Sequence, residues 1–197
     1  MRQEATDSTR TRRGPATRER ILQAASELFY AEGIRGTSAD RIIARVGITK
    51  VTFYRHFPTK SDLVVAYLQQ QAAGERTWFS SLRTAGDPTG SLRAIAAGIG
   101  AASCTPGFRG CAFINAAAEF SDPQDPVRTV VDEHRRWMLD EFAAIATEAG
   151  VPDPATTARQ LMILRDGAMV NGYLGHSTSL QESLSAAFDS VITAATR

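Results

Sequence analysis

Hydroxyl, ammonium and apolar side chains stand side by side in the run Thr49-Lys50-Val51-Thr52, two residues after Gly47. A lysine ammonium can donate hydrogen bonds to guanine O6 and N7, and an apolar side chain suits the methyl group of thymine. Threonine hydroxyls can bond a base edge or the DNA backbone. We therefore expect Lys50 and Val51 to contact base edges, and Thr49 and Thr52 to contact bases or backbone.

Two short helices joined by a turn at Gly47 would hold these side chains outward. The helix before the turn has one apolar face, and the helix after it turns two phenylalanines inward. The inward residues are Ile42, Ile43 and Val46 before the turn, and Phe53 and Phe57 after it. Two helices joined by a tight glycine-containing turn predict a helix-turn-helix, whose second helix enters the major groove of DNA.

The ends of these helices carry suitable residue types. Ser38 and Thr49 can cap helix N-termini, because their hydroxyls accept hydrogen bonds from backbone N–H groups. Gly47 allows a left-handed backbone conformation without a steric penalty. Pro58 ends the second helix, since it has no N–H and disfavours helix in the residue before it. Thr59, with an aspartate three residues later, predicts a capping box for the next helix.

The run Gly47-Ile-Thr-Lys-Val-Thr-Phe-Tyr-Arg-His-Phe-Pro-Thr-Lys-Ser-Asp-Leu63 resembles the DNA-binding signature of TetR-family (tetracycline-repressor-like) transcriptional regulators. The resemblance extends over Thr17–Leu68 and includes the preceding helix. It implies that Ser38, Tyr54, His56 and Lys60 contact phosphates, which fix the register of a protein on DNA without reading sequence. Val51 stands where a smaller residue is common in the family, and Phe53 stands where leucine is common.

The resemblance and the helical patterning predict an all-α fold, with a three-helix N-terminal head followed by a helical ligand-binding and dimerisation domain. We expect a flexible basic arm over residues 1–16, the helix-turn-helix head over 17–62, and the effector-binding and dimerisation domain over 63–197. The first helix should begin after Thr17. The arm would either touch the minor groove or phosphates, or form a solvated tail.

The charge is divided unevenly along the chain. Met1–Lys60 holds 12 Lys or Arg and 6 Asp or Glu, a net charge of +6, whereas the remaining residues hold 10 and 15, a net charge of −5. A basic N-terminal unit beside an acidic remainder suits a phosphate-binding head on a body that does not bind DNA. The other interpretation is a chance clustering of charge on a solvated face.

Several classes of protein are disfavoured by the sequence. The N-terminus is polar and basic without an apolar segment, no apolar run is long enough for a membrane span, and Cys104 and Cys111 do not form a disulfide scaffold. We therefore expect a cytoplasmic protein. His56, His134 and His176 are scattered, and neither a phosphate loop nor a nucleophile motif is present, so we expect no metal, no cofactor and no enzymatic activity.

The second part of the chain has the pattern of five further helices, near residues 91–103, 110–120, 126–148, 155–174 and 180–195. The last two helices favour a homodimer, because the helix over 155–174 is apolar nearly all round and needs partners on both sides. The alternative is a deeply buried central helix of a monomer. The predicted interface consists of Leu161, Leu164, Ala168, Leu180, Leu184, Ala187, Phe188 and Val191.

A small-molecule pocket in this second part is implied by the resemblance and only loosely supported by composition. The candidate lining residues are Phe108, Phe113, Asn115, Glu119, Trp137, Met162, Arg165, Met169 and Tyr173. Each of them could equally be ordinary core or solvated charge. Cys104 and Cys111 flank a predicted loop, where an oxidation switch is the alternative to inert thiols.

Together these observations predict a homodimeric transcriptional repressor that a small-molecule effector releases from a palindromic double-stranded DNA operator. The alternative is an effector-independent or redox-responsive (Cys104/Cys111) regulator. An enzyme with a DNA-binding head and an architectural DNA-binding protein are the rival classes. Turnover of a bound ligand would favour the first rival, and sequence-blind binding at physiological salt would favour the second.

Overall fold

The computed structural model describes residues 8–175 and 179–196, and these residues form nine helices and no strand. The predicted all-α fold is therefore confirmed. The helices are α1 Ser8–Glu32, α2 Ala39–Val46, α3 Lys50–His56, α4 Lys60–Ser81, α5 Pro88–Ser103, α6 Ala112–Glu119, α7 Pro126–Glu148, α8 Pro154–Tyr173 and α9 Leu180–Ala195.

The chain forms two compact units, Met1–Gln70 and Gln71–Arg197. The boundary lies inside α4, so this helix contributes residues to both units. The predicted domain boundary between residues 62 and 63 lies near the start of the same helix.

The predicted start of the first helix is wrong, because α1 begins at Ser8 and not after Thr17. The prediction treated residues up to Ala16 as a basic terminal arm, because chain termini are commonly loose. Residues 8–16 of the predicted arm are thus helical, and residues 1–7 lie outside the described part of the chain.

The first unit is built on the predicted apolar stripe of α1. Ile21 and Ala25 are fully buried, and Leu28 and Phe29 nearly so. The ring of Phe29 meets the ring of Tyr67 edge-on, with centroids 5.6 Å apart. This contact joins α1 to the first part of α4. Helix α2 packs against α1, and α3 packs against α2.

The second unit packs α5 along α9 and α7 along α8, with α6 against α7. Gly100 permits the close approach of α5 to α9, because a Cβ atom there would lie 2.8 Å from the Cα of Gln181. Aromatic rings fill the centre: Phe142 meets Phe79 at 5.4 Å and Phe188 at 6.1 Å between centroids. The five helices predicted for this part are confirmed, with ends that differ by a few residues.

Candidate nucleic-acid interface

The turn between α2 and α3 has the geometry that the sequence predicts. The Ser38 hydroxyl caps α2 by accepting a hydrogen bond from the Arg41 N–H at 3.2 Å. Gly47 ends α2 with φ of 71°, in the left-handed region, and its N–H donates to the carbonyl of Ile43 at 3.0 Å. This conformation strains any residue with a Cβ atom, which explains the glycine.

Helix α3 exposes its first two residues, Lys50 and Val51, and buries its fourth residue, Phe53. The Thr49 hydroxyl accepts a hydrogen bond from the Thr52 N–H at 3.2 Å, and the two threonine hydroxyl oxygens are 3.0 Å apart. Val51 is 80 % exposed, whereas Phe53 is fully buried. Water is a poor environment for an apolar side chain, so an exposed Val51 at a helix N-terminus is suited to contact with another molecule.

Lys50, the first residue of α3, is paired with an acid of α2. Its Nζ atom lies 2.9 Å from the Oδ1 atom of Asp40, and both side chains are about two-thirds exposed, at 67 % and 66 %. The hydrogen bond and the charge of Asp40 raise the pKa of Lys50 above its usual value. The ammonium that we expect to contact a base is therefore already held by a carboxylate.

Tyr54 and His56 lie one turn further along α3. Tyr54 is 47 % exposed and contacts the Phe53 ring edge-on, with centroids 5.2 Å apart. The Nε2 atom of His56 is enclosed and has no hydrogen-bond partner. A phosphate contact from His56 would therefore use Nδ1. The phosphate-binding roles of both residues remain predictions.

Lys60, at the start of α4, has a structural partner that the sequence does not reveal. Its Nζ atom donates a hydrogen bond of 2.6 Å to the carbonyl of Ile34. The capping box beside it is confirmed, because the Thr59 N–H donates to Asp62 at 2.9 Å and the Asp62 N–H donates to the Thr59 hydroxyl at 3.1 Å. The contact of Lys60 with a phosphate stays a prediction.

Ion pairs with α1 hold α2 in place. Arg41 forms a two-pronged pair with Glu32, and Arg45 lies 2.9 Å from Glu27. At the C-terminal end of α2, the guanidinium of Arg20 donates a hydrogen bond of 2.7 Å to the carbonyl of Val46. These contacts orient α2, and through it the N-terminus of α3.

A cluster of polar side chains lies inside the Gln71–Arg197 unit. Glu75 accepts a hydrogen bond from the Nε2 atom of the buried His134 at 3.0 Å, and it lies 3.6 Å from Arg165. The His134 ring stacks on Phe113 with centroids 3.7 Å apart, and its Nδ1 atom is buried without a partner. Arg165 also contacts Asp166 at 3.1 Å.

Arg165 is a buried cation, with only 5 % of its surface exposed. Burial alone would lower the pKa of its guanidinium, but the side chains of Cys111, Glu75 and Asp166 raise this pKa above its usual value. Arg165 is therefore charged, and removal of one of its partners would leave part of that charge uncompensated in the interior.

The structure brings together some of the predicted pocket residues and separates others. Phe113, Trp137 and Arg165 surround the Glu75–His134 pair, with Trp137 and His134 ring centroids 5.3 Å apart. The remaining candidates differ in their burial: Met162 and Met169 are buried, Phe108 and Glu119 are half-buried, and Asn115 is exposed.

The sequence analysis missed Glu75 as a member of this cluster. It is a single acid within a long helix, and no local motif connects it to His134 or Arg165, which lie far along the chain. Tyr173 is 46 % exposed and lies under the Arg109 guanidinium at 4.9 Å, so it belongs to the α8 surface and not to the buried cluster.

The residues of the predicted dimer interface differ in their burial within the single subunit. Four of them are buried: Leu161, Ala168, Leu184 and Phe188. The other four are half-buried: Leu164, Leu180, Ala187 and Val191. The exposed apolar residues of this region are Ile163, Val170 and Tyr173 of α8 and its C-cap residue Leu174. An apolar stripe in a sequence does not distinguish the core of a subunit from a surface between subunits.

Within residues 8–175 and 179–196, no group of three His, Cys, Asp or Glu residues could hold a metal ion. Cys111 is buried and Cys104 half-buried, and the two are not joined by a disulfide. None of the described helices combines the length and apolar content needed to cross a membrane.

A basic unit with two capped helices around a left-handed glycine, the second with exposed Lys50 and Val51, defines a helix-turn-helix DNA-binding protein. Residues 21–67 match the family described as "Bacterial regulatory proteins, tetR family". The crystal structure of SCO4454, a TetR-family transcriptional regulator from Streptomyces coelicolor, is 39 % identical, covers 92 % of this chain and 96 % of its own, and has a TM-score of 0.88. The chain belongs to the TetR family of transcriptional regulators.

Two curated relatives agree with this assignment. The HTH-type transcriptional regulator YjdC of Escherichia coli (strain K12) is 26 % identical over 77 % of this chain and 81 % of its own length. The HTH-type transcriptional regulator LmrA of Bacillus subtilis (strain 168) is 30 % identical over 61 % of this chain and 66 % of its own length. The chain is thus a DNA-binding regulator of transcription and not an enzyme.

Proposed function

We propose that this regulator is a homodimeric repressor, which binds a palindromic operator and leaves it when a small molecule occupies the second unit. The observation that carries the DNA-reading part is the N-terminus of α3, where Val51 is 80 % exposed beside the ammonium of Lys50. An apolar group and a multiple hydrogen-bond donor in adjacent positions suit a thymine methyl group next to a guanine.

The exposed face of α8 supports the dimer. Ile163, Val170 and Leu174 are spaced seven and four residues apart and therefore lie on one side of the helix. They are 70 %, 47 % and 62 % exposed in the single subunit. Gly167 lies between them with open space around its Cα, which would let a second helix approach closely. A two-fold contact through this face would cover all three apolar side chains.

The buried polar cluster supports effector binding. Glu75 accepts a hydrogen bond from His134 and forms an ion pair with Arg165 at 3.6 Å, so a polar molecule that displaced either contact would have to compensate a buried charge. His134 already has a buried nitrogen, Nδ1, without a protein partner. A ligand that bonds this nitrogen would favour one arrangement of α4, α7 and α8 over another, which is the requirement for a shift between two states.

A DNase footprint on the DNA upstream of the protein's own gene, combined with a reporter driven by that DNA, tests this function. We expect a protected site with two inverted halves and lower reporter output when the protein is expressed. Higher output on expression would contradict repression. Protection of a single half-site by the saturating protein would contradict the dimer.

A further inference from the structure

The pair between Asp40 and Lys50 places a negative charge at the surface that should face DNA. Asp40 is the second residue of α2, Lys50 is the first residue of α3, and their Oδ1 and Nζ atoms are 2.9 Å apart. The capping residues Ser38 and Thr49 stand directly before the two helices, so both N-termini lie at this point. Asp40 is one of six acids in the stretch Met1–Lys60, whose net charge is +6.

Stability alone does not explain this pair. Both side chains are about two-thirds exposed, at 67 % and 66 %, and exposed ion pairs contribute little to folding. A negative charge in the first turn of α2 is favourable for the helix dipole, yet that effect needs no contact with Lys50. The contact is therefore not required for folding, and its chemical effect falls on the ammonium of Lys50.

The chemistry of the ammonium distinguishes a phosphate from a guanine at this position. Lys50 has three N–H donors. With one donor on Asp40, the other two can reach O6 and N7 of a guanine, which is uncharged and does not repel the carboxylate. A phosphate at the same place would bring a second negative charge close to Asp40, and the two anions would repel each other.

We propose that Asp40 is a specificity-determining residue, which holds the Lys50 ammonium for a base edge and penalises its use on the phosphate backbone. The proposal rests on the proposed role of Lys50 as a reader of bases. Asp40 affects DNA binding in two ways: it holds the Lys50 ammonium, and its negative charge repels a phosphate. In this arrangement, binding to arbitrary DNA is weakened more than binding to the operator.

The substitution Asp40→Asn tests the proposal, because it removes the charge and keeps the size of the side chain. Binding is measured on a duplex that the wild-type protein has selected from a random pool, and on a random-sequence duplex of equal length. We expect affinity for random DNA to rise roughly fivefold to tenfold, with a much smaller change on the selected duplex. The slope of log affinity against log salt on random DNA should steepen by about one unit, as Lys50 gains a phosphate.

Two matched variants separate this role from net charge and from misfolding. Glu19→Gln removes one negative charge from an exposed position of α1 and should leave the ratio of selected to random affinity unchanged. Asp40→Asn in a Lys50→Ala background should no longer steepen the salt slope, because the ammonium is missing. Equal thermal midpoints of Asp40→Asn and the wild type confirm that α2 is intact.

The inference is overturned if Asp40→Asn strengthens binding to both duplexes by the same factor, or if Glu19→Gln lowers the ratio equally. It is also overturned if the salt slope steepens without Lys50. Failure of the underlying function would be visible earlier, since a wild-type protein that selects no sequence from the pool gives no ratio to compare.

Discussion

At the scale of single residues, the side chains that we propose to contact DNA are already held in place in the free protein. Lys50 is bound to Asp40, Lys60 to the carbonyl of Ile34, and Thr52 to Thr49. Side chains fixed before binding lose less entropy when DNA arrives than mobile ones would. We therefore expect these contacts inside the first unit to increase its affinity for DNA.

Lys50→Ala should relax the preference for one base pair in each half-site. Loss of a bidentate donor reduces discrimination at that position by roughly tenfold to a hundredfold, while other positions keep their preference. Competition binding with operators substituted one base pair at a time measures this effect. An equal loss on the operator and on random DNA would show that Lys50 contacts only phosphate.

Glu75→Ala should destabilise the second unit, because it leaves Arg165 and His134 with one acceptor fewer. Glu75 is 31 % exposed, so we expect a cost of roughly 2 kcal/mol, below the roughly 3–5 kcal/mol of a fully buried pair. Urea unfolding measures the change. Glu148→Ala, which breaks the surface pair with Arg83, is the control and should cost less than about 1 kcal/mol. Equal costs for the two variants would contradict a special role for the buried cluster.

At the scale of elements, helix ends and turns decide how the side chains of the interface are presented. Thr49 caps the N-terminus of α3, and Gly47 sets the direction in which the chain leaves α2. Pro58 stands just after the C-terminal end of α3. Each acts through backbone geometry or a cap hydrogen bond. The orientation of α3 is thus encoded mostly outside α3.

Gly47→Ala should lower stability by roughly 1–2 kcal/mol, since its φ of 71° is left-handed while the space around its Cα is open. Gly74→Ala is the matched control, because this glycine lies inside α4, also in open space, without a positive φ. It should raise stability by roughly 0.5–1 kcal/mol. Thermal or urea unfolding measures both changes, and a neutral Gly47→Ala would contradict the role of the turn.

Local chemistry made the elements predictable from sequence. Ser38, Thr49 and Gly47 act through their immediate neighbours, so their residue types suffice to place α2 and α3. The five helices of the second part followed in the same way from caps and apolar spacing. At the start of α9, Ser179 makes no side-chain cap bond, because its ψ of 8° is not the extended conformation of a capping residue.

Contacts between distant residues were not predictable. The Lys60–Ile34 bond and the Glu75–His134–Arg165 cluster join positions far apart in the chain, and no local pattern marks them. The exposed face of α8 was not predictable for a related reason. A helix that is apolar nearly all round gives no indication of which side its own subunit covers.

At the scale of the whole molecule, the proposed homodimer is what turns one reading head into a reader of two half-sites. Two heads related by a two-fold axis read inverted sequences, and the combined site is longer and rarer than either half. The exposed apolar stripe of α8 is the surface on which this proposal depends.

Ile163→Glu should convert the protein to monomers, because two carboxylates would be buried against each other in a two-fold contact. Ala144→Glu, at an exposed position of α7, adds the same charge and should leave the dimer intact. Analytical ultracentrifugation measures the mass, and circular dichroism confirms that the helices persist. A dimeric Ile163→Glu protein would place the interface elsewhere.

Selection of duplexes from a random pool by the wild-type protein at physiological salt tests the central claim most directly, namely that the N-terminus of α3 reads base pairs. We expect the selected pool to converge on two inverted half-sites, bound at least about a thousandfold more tightly than random DNA. A pool that stays random, with equal affinity for all duplexes, would contradict the claim.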